Sequence, residues 1–382
     1  MEKKFYLCST AALVLGCMTS PLMADGTYSG GPSGSCPSPC PAPVPAPCPA
    51  PAPEPTCPAP EPVCPPKCDT PPAGKIDECD MNSPACVITP DAGPRVCMGA
   101  DVFVTADFIL WTPRQEGLEF AMTGAQGNIT NQGDLIEPDF GLEPGFKVGL
   151  GLNLGHDGWD MFLEYTWLRS CVSESKRSNT MVNLWDTVLT PTRMRGSWDY
   201  DLNNFDLEIG RNFFVSQYLS IRPHYGFKGG WQSQDYVVRA ELGNINRKMV
   251  QDFDYWGFGI RTGFDTAWHL NSSWSIFGNF ALSALWSSFD IDRKDTDFDG
   301  AVTTTNVNTN NDFHTILPVL EIAIGVRWEM WFSDDDYHFG IDAGWEEQVW
   351  WGMNRLIVIN QPQRDNGDLT FQGLTLKFRF DF

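Results

Sequence analysis

The last residues of the chain alternate strictly between apolar and polar side chains. Every second residue over 374–382 is apolar, and the residues between them are Thr375, Lys377, Arg379 and Asp381. Because successive side chains of a strand point to opposite faces, this segment has one aliphatic and aromatic face and one charged face. Such a strand separates a core from water in a soluble sandwich, or lipid from a lumen in a transmembrane barrel.

The same alternation recurs upstream. Residues 146–167 predict a hairpin, because Phe146 and Trp159 each begin a run in which every second residue is apolar, around a turn at 156–158. Each arm has about the ten residues that cross a bilayer at a tilt. The other predicted strands are 102–111, 117–123, 198–210, 219–227, 235–242, 256–264, 274–286, 316–328 and 337–345.

These segments predict an all-β fold, a transmembrane antiparallel β-barrel of about 12 strands, with any even number from 10 to 16 acceptable. The polar intervals 170–183, 290–311 and 360–369 are then loops. Pro223 cannot donate to a ladder, so a bulge or irregular pairing is expected there. An even strand number places both chain ends on the same side, which would be the periplasmic side.

Composition agrees with this class. The chain is 13% aromatic, as aromatic girdles would require, although a large sandwich core would also use these residues. The mean hydropathy is −0.24, and no apolar run beyond the first few residues reaches the roughly 18 needed for a spanning helix. A net charge of −22 argues against nucleic acid as a partner.

The N-terminus predicts export. Lys3 and Lys4 precede an apolar run, and small residues lead to a cleavage site after Ala24, so residues 1–24 are a predicted signal peptide. The residues before Cys17 resemble a lipoprotein box, which leaves lipidation of that cysteine as an alternative. The outer membrane is the predicted location of the remaining chain.

A Pro- and Cys-rich stem occupies residues 25–100, ahead of a barrel over 101–382. Proline at nearly every second position of its core forbids helix and sheet, so the stem is extended and disordered in the periplasm. Disulfides to other cysteine-rich envelope proteins, local pairing, and metal binding through Cys64 and Cys68 stay open, although no zinc spacing is present. The candidate cross-linking cysteines are Cys36, Cys40, Cys48, Cys57, Cys64, Cys68, Cys79, Cys86 and Cys97.

Parts of the sequence resemble known outer-membrane proteins. The terminal strand, with Phe378, Phe380 and Phe382, resembles the signal by which barrel assembly machinery recognises outer-membrane barrels. The segment ADFILWTPRQEGLEFA at 106–121 and LSIRPHYGFKG at 219–229 resemble the Legionella-type major outer membrane protein family, also found in chlamydia-like bacteria. This resemblance implies a pore-forming outer-membrane barrel without catalytic residues. The stem departs from that family and resembles cysteine-linked chlamydial envelope proteins instead.

The predicted function is passive diffusion of small hydrophilic solutes through an outer-membrane porin. Inward polar residues would either select solutes or pair across strands to stiffen the wall. The candidate lumen residues are Lys147, Asp160, Glu164, Arg222, His224, Lys228, Arg261, Glu321, Arg327, Glu329, Asp342, Glu346, Lys377 and Arg379. The expected partners are outer-membrane lipid, the assembly machinery, other envelope proteins and further copies of the chain.

Two alternatives to a porin stay open. The chain could be a disulfide-linked structural envelope protein or adhesin without pore activity, or a soluble sandwich that binds glycans. Catalysis is not expected, because the five histidines accompany no Ser or Asp motif. No cofactor or metal is expected either: residues 295–300 resemble the start of a calcium loop, but Asn306 stands where a bidentate Glu belongs.

Overall fold

The computed structural model describes residues 90–96, 100–124, 133–154, 158–185, 191–358 and 367–382. All of them belong to one unit, Cys68–Phe382. The predicted signal peptide, most of the predicted stem and all nine candidate cross-linking cysteines lie outside the described residues, so these predictions stay predictions. No described segment forms a helix long and apolar enough to cross a membrane.

Strands account for all the regular structure of the described residues. Long strands form over most of the predicted segments, and most of their bounds run past the predicted ones. The strands are β1 (Val102–Gln115), β2 (Ala121–Thr123), β3 (Asp134–Ile136), β4 (Glu143–Asn153), β5 (Trp159–Arg177), β6 (Val182–Asn183), β7 (Arg193–Arg211), β8 (Phe213–Phe214), β9 (Leu219–Leu242), β10 (Ile245–His269), β11 (Trp274–Phe298), β12 (Thr303–Phe332), β13 (Tyr337–Trp350) and β14 (Leu369–Asp381).

Ten of these strands close into an antiparallel barrel. In order around the wall they are β1, β4, β5, β7, β9, β10, β11, β12, β13 and β14, and β14 pairs with β1. The short strands β2, β3 and β6 form a separate three-stranded sheet. Strand β8 lies beside β9, where the ladder to β7 stops at the pair Gly210–His224. Pro223, where the sequence predicts an irregularity, is the next residue, whereas the ladder from β9 to β10 runs through it unbroken.

The strand number is therefore ten, inside the predicted range and below the favoured twelve. Of the predicted segment 117–123, only three residues form a strand, and that strand stays out of the barrel wall. The predicted strands 219–227 and 235–242 are one continuous strand, β9. The predictions of loops at 170–183 and 290–311 are also wrong over most of their length, because β5 continues to Arg177 and the hairpin of β11 and β12 turns only at 299–302.

An apolar band surrounds the barrel near the end where the chain enters and leaves it, which we call the terminal end. Exposed tryptophans border the band: Trp256 and Trp286 on one side, and Trp268 and Trp274 on the other. Twelve residues separate the two tryptophans on β10 and also the two on β11. At about 3.4 Å per residue and a tilt of about 40°, this separation corresponds to roughly 30 Å along the barrel axis.

Beyond this band the polarity of the wall inverts. On the outer face of the distal half, Asp235 pairs across the strands with Asp252, and Asp252 pairs with Asp292. On the inner face at the same level, Phe253 and Phe289 are buried. The alternation keeps its period of two, but the outer face is now the polar one. Long strands thus leave the band and continue as a wall around an apolar interior.

Candidate functional site: the barrel lumen

The lumen of the terminal half contains a cavity of about 620 Å³. Strand alternation directs all fourteen predicted lumen residues to the inner face, and thirteen of them line this cavity. The fourteenth, Lys228, is 1% exposed and binds residues at the distal boundary of the cavity. Asp107, Asp206, Glu208, Asp265 and His338 belong to the same inward set.

Ion pairs connect strands that are distant in sequence. Lys147 Nζ lies 2.7 Å from Glu346 Oε1 and 3.7 Å from Glu164 Oε1, and thereby joins β4 to β13 and β5. Lys377 Nζ lies 3.8 Å from the other oxygen of Glu164. These contacts cross the interior as well as following the wall, so the same side chains line the cavity and pair across it.

The densest cluster surrounds Arg222. Its guanidinium donates to Asp160 Oδ2 at 2.9 Å, to Glu208 Oε2 at 3.0 Å and to Asp265 Oδ2 at 2.9 Å. Arg261 also pairs with Glu208. Charge-assisted contacts of this kind are stronger than neutral hydrogen bonds. The side chains that project most into the cavity are Asp265, Arg327, Lys377 and Arg379, with exposed fractions of 27–33%.

A second group of contacts involves histidines. His338 Nδ1 lies 2.7 Å from Asp381 Oδ2, and its Nε2 lies 3.5 Å from Glu329 Oε1. His269 Nε2 lies 3.1 Å from Ser220 Oγ. His224 lies near Glu208 and Asp265, with donor atoms spaced closely enough for a metal ion. The arginine contacts of both carboxylates oppose such an ion, since the guanidinium groups already neutralise their charge.

The carboxylates of the calcium-like segment do not converge. Asp295 pairs with buried Arg293 inside the barrel, and Asp297 pairs with Arg247. Asp299 accepts hydrogen bonds from the backbone N–H groups of Ala301 and Val302, which hold the pKa of its carboxyl below the ordinary value. Each of these carboxylates therefore contacts a neighbouring arginine or the turn backbone, and the three do not share one site.

An apolar layer closes the lumen distal to the charged cavity. Strands contribute buried residues such as Trp198 and Phe371, and three inserted segments contribute others: 117–122, 181–185 and 353–356. The inserted apolar side chains are Leu118, Phe120, Ala121, Met122, Met181, Trp185, Met353 and Leu356. Among the described residues, this layer takes buried apolar side chains from the inserted segments and from every barrel strand except β4. The sequence does not predict that these segments enter the lumen, because a segment that plugs a barrel has the same pattern as any other short apolar stretch.

Hydrogen bonds hold these segments in place. Trp185 Nε1 donates to the carbonyl of Glu119 at 3.0 Å, and Tyr236 Oη donates to the carbonyl of Leu118 at 2.6 Å. The Trp185 and Tyr236 rings lie 5.4 Å apart. The layer is therefore packed and hydrogen-bonded like a protein core.

The terminal mouth of the lumen is partly covered by residues 90–96, the described part of the predicted stem. Phe214 N–H donates to the Pro90 carbonyl at 2.9 Å, and Arg95 donates to the Leu154 carbonyl at 3.0 Å. Residues 91–96 also line the charged cavity.

Comparison with known proteins settles the family. The family model described as Legionella pneumophila major outer membrane protein precursor matches residues 96–382. The chain belongs to this family. Comparison with curated proteins finds no match. As a member of the Legionella major outer membrane protein family, the chain is an outer-membrane barrel, and a band of roughly 30 Å between tryptophans suits the thickness of a bilayer.

Several solved structures are similar to this chain at low sequence identity. The Escherichia coli outer membrane protease OmpT is 10% identical over 74% of this chain and 97% of its own, with a TM-score of 0.39. The Pseudomonas putida toluene transporter TodX is 8% identical over 74% and 90%, with a TM-score of 0.28. The attachment invasion locus protein Ail of Yersinia pestis is 11% identical over 74% and 99%, with a TM-score of 0.22.

Proposed function

We propose that the protein is a gated outer-membrane porin for small hydrophilic solutes, in its closed state in this structure. The observation that carries this proposal is the charged cavity in the lumen of the terminal half. Its lining offers acidic and basic groups on different walls, which suits small polar or ionic solutes. The excess of carboxylates over cationic groups in this lining favours cations.

In this proposal the terminal end faces the periplasm. Phe382 O accepts from Ala100 N at 3.1 Å, so the chain enters and leaves the barrel at one rim. The stem then lies beneath the membrane, where its cysteines link the barrel to other cysteine-rich envelope proteins. Phe378, Phe380 and Phe382 would be read there by the assembly machinery.

Gating is assigned to the apolar layer. A solute crosses only when the inserted segments move, because a packed apolar layer excludes ions and water. Since these segments belong to connections between strands, they can leave the lumen without breaking a wall ladder. Wild-type channels would therefore open rarely, with long closed intervals.

Conductance in planar bilayers tests this proposal. Removing the Phe120 and Trp185 rings together, by Phe120→Ala and Trp185→Ala, should raise the open fraction severalfold. The control is Phe298→Ala, which removes an exposed ring at the hairpin tip outside the layer. A double variant that folds, as judged by heat-modifiable migration on gels, and still never conducts rejects the porin. A potassium chloride gradient then tests cation preference through the reversal potential.

The second candidate is a structural envelope protein or adhesin without a pore, and the filled distal lumen favours it. In that case both variants stay silent in bilayers. Gels without reductant would then show cross-linked forms that yield monomer only when a reductant is added. Monomer in both gels rejects the cross-linking part of either candidate.

A further inference from the structure

Among the residues that the structure describes, one edge of the barrel wall has no pairing strand in the distal half. Strand β12 pairs with β11 from Thr303 to Trp328, whereas its ladder to β13 begins only at the pair Val319–Trp350. A last hydrogen bond runs from Trp351 N to Pro318 O at 3.2 Å. Within the described ranges of the chain, no backbone pairs with the other side of β12 over residues 303–317.

The direction of the unpaired groups follows from two hydrogen bonds. Glu329 N donates to Ser273 O on the β11 side, and Pro318 O accepts on the β13 side. In an antiparallel sheet, each residue directs both its N–H and its C=O group to the strand on one side, and the next residue directs both groups to the strand on the other side. The register with β11 is constant from Val307 to Trp328. The N–H and C=O groups that point to the free side therefore belong to Asn308, Asn310, Asp312, His314 and Ile316.

Over residues 307–317 this edge lacks the devices that block strand addition, because the register shift that leaves Asn306 out of the ladder lies before that stretch. Natural edges are protected by charged residues, proline or bulges. Strand β5 also extends past its neighbour β4 on the opposite side of the distal half, and four of its nine residues over 169–177 are charged. Over residues 303–317 of β12, Asp312 is the one charged residue, and threonine and asparagine predominate.

We propose that the distal edge of β12 is a docking site for an extended basic peptide segment, which adds to the sheet as a further strand. Backbone hydrogen bonds would supply affinity, as in other cases of strand addition. If the terminal end faces the periplasm, as proposed above, this edge lies outside the cell and so does its partner. The site itself does not depend on pore activity.

The chemistry of the partner follows from the two faces of the edge. On the outer face, exposed Asp312 pairs with Asp290, and Asn310 donates to Asp290 and Asp292 at 3.2 and 3.1 Å. In the added strand, lysine or arginine opposite Asp312 would lie beside its carboxylate, and Asp290 and Asp292 lie one strand further away, on β11. On the inner face, Thr309 and its neighbours are half-buried, so small β-branched residues fit there.

Charge also decides against a second copy of this chain as the partner. The edge is bordered by carboxylates on its outer face, and the whole chain carries a net charge of −22. Pairing two such edges would bring like charges together across the new ladder, which destabilises it. A basic segment gains from the same carboxylates.

Fluorescence anisotropy with the full chain in nonionic detergent tests the proposal. The probe is a labelled nine-residue peptide that alternates lysine with valine or threonine, capped at both ends. Two peptides N-methylated at alternate amides cover both registers, and a further peptide has glutamate in place of lysine. The variant is Asn308→Pro, which removes one free-side N–H without removing a hydrogen bond to β11. Its matched control is Asn308→Ala, which loses the same side-chain amide and keeps the N–H.

The lysine peptide should bind saturably, and more weakly as salt rises. Losing one backbone hydrogen bond should weaken binding to Asn308→Pro about fivefold relative to Asn308→Ala. One N-methylated peptide should lose at least as much, and the glutamate peptide should not bind. Heat-modifiable migration checks that both variants fold.

Equal binding of both N-methylated peptides would overturn strand addition and leave charge attraction alone. Equal binding to Asn308→Pro and Asn308→Ala would show that the peptide does not bind at this edge of β12. Absence of peptide binding would also overturn the proposal. If a dimer in sedimentation then dissociates on Asn308→Pro, the partner is a second copy instead.

Discussion

Replacing Lys228 with methionine tests whether the boundary between the charged cavity and the apolar layer is dry and braced by ion pairs. Lys228 Nζ lies 2.9 Å from Asp206 Oδ1 and 2.9 Å from Glu321 Oε1, and the residue is 1% exposed. Methionine keeps most of the length and the apolar stem of the side chain but carries no charge. Arg261, which donates to Glu321 Oε2 at 2.7 Å, is then the remaining cation beside these carboxylates.

The expected cost follows from the burial of the pair. Removing one partner of a buried ion pair leaves an uncompensated charge and typically costs about 3–5 kcal/mol. Arg261 already contacts Glu321 and so offsets part of this loss, which favours the lower end of that range. An exposed pair would cost only about 0–1 kcal/mol, because water and salt screen it.

Urea unfolding of the barrel in detergent, followed by tryptophan fluorescence, measures the difference. Lys228→Met should lower the free energy of unfolding by about 3 kcal/mol. The second variant, Lys228→Met with Asp206→Asn, should recover a large part, because the orphaned carboxylate is gone. A double-mutant cycle with Asp206→Asn alone isolates the pair. A loss below about 1 kcal/mol for Lys228→Met would refute a dry boundary and indicate that water screens this ion pair.

Three further predictions concern the wall. Ile260→Arg, in the middle of the band, should lower the free energy of unfolding in vesicles by about 2–4 kcal/mol. Its control, Asn246→Arg on the distal part of the same strand, should lower it by less than about 1 kcal/mol. Equal losses would contradict a lipid-facing band. Gly226→Ala should reduce the heat-modifiable folded fraction on gels, because a Cβ would lie 1.8 Å from the Leu207 carbonyl oxygen, whereas Gly141→Ala, which meets nothing within 4 Å, should not. In the distal extension, burial and the Asp252 carboxyl raise the pKa of Asp235 to about 6. The folded state then holds more protons than the unfolded state between about pH 4 and 6, so urea stability should fall as pH rises through this window, and Asp252→Asn should flatten that dependence.

Local alternation was enough to predict which faces of the strands point outward. In β4 and β14, the residues predicted on the apolar face, such as Leu150 and Leu374, are exposed on the outside of the barrel, and Lys147 and Lys377 point inward. This succeeds because a strand has a side-chain period of two, and because lipid demands apolar side chains on one face throughout the band. The family resemblance of residues 106–121 and 219–229 could likewise be seen in the sequence, and the family match includes both segments.

Only the tertiary structure decided the strand number, the ends of the strands and the state of the lumen. The wall of the distal half has its apolar face inside, so its outward aspartates look like loop residues in a one-dimensional pattern. The period does not change there, whereas the environment of each face does. Contacts such as Lys147 to Glu346 join residues 199 apart in sequence. Such partners meet only because the barrel closes and because the segments around Phe120 and Trp185 enter the lumen. Both events depend on distances between strands, which a local sequence period does not contain.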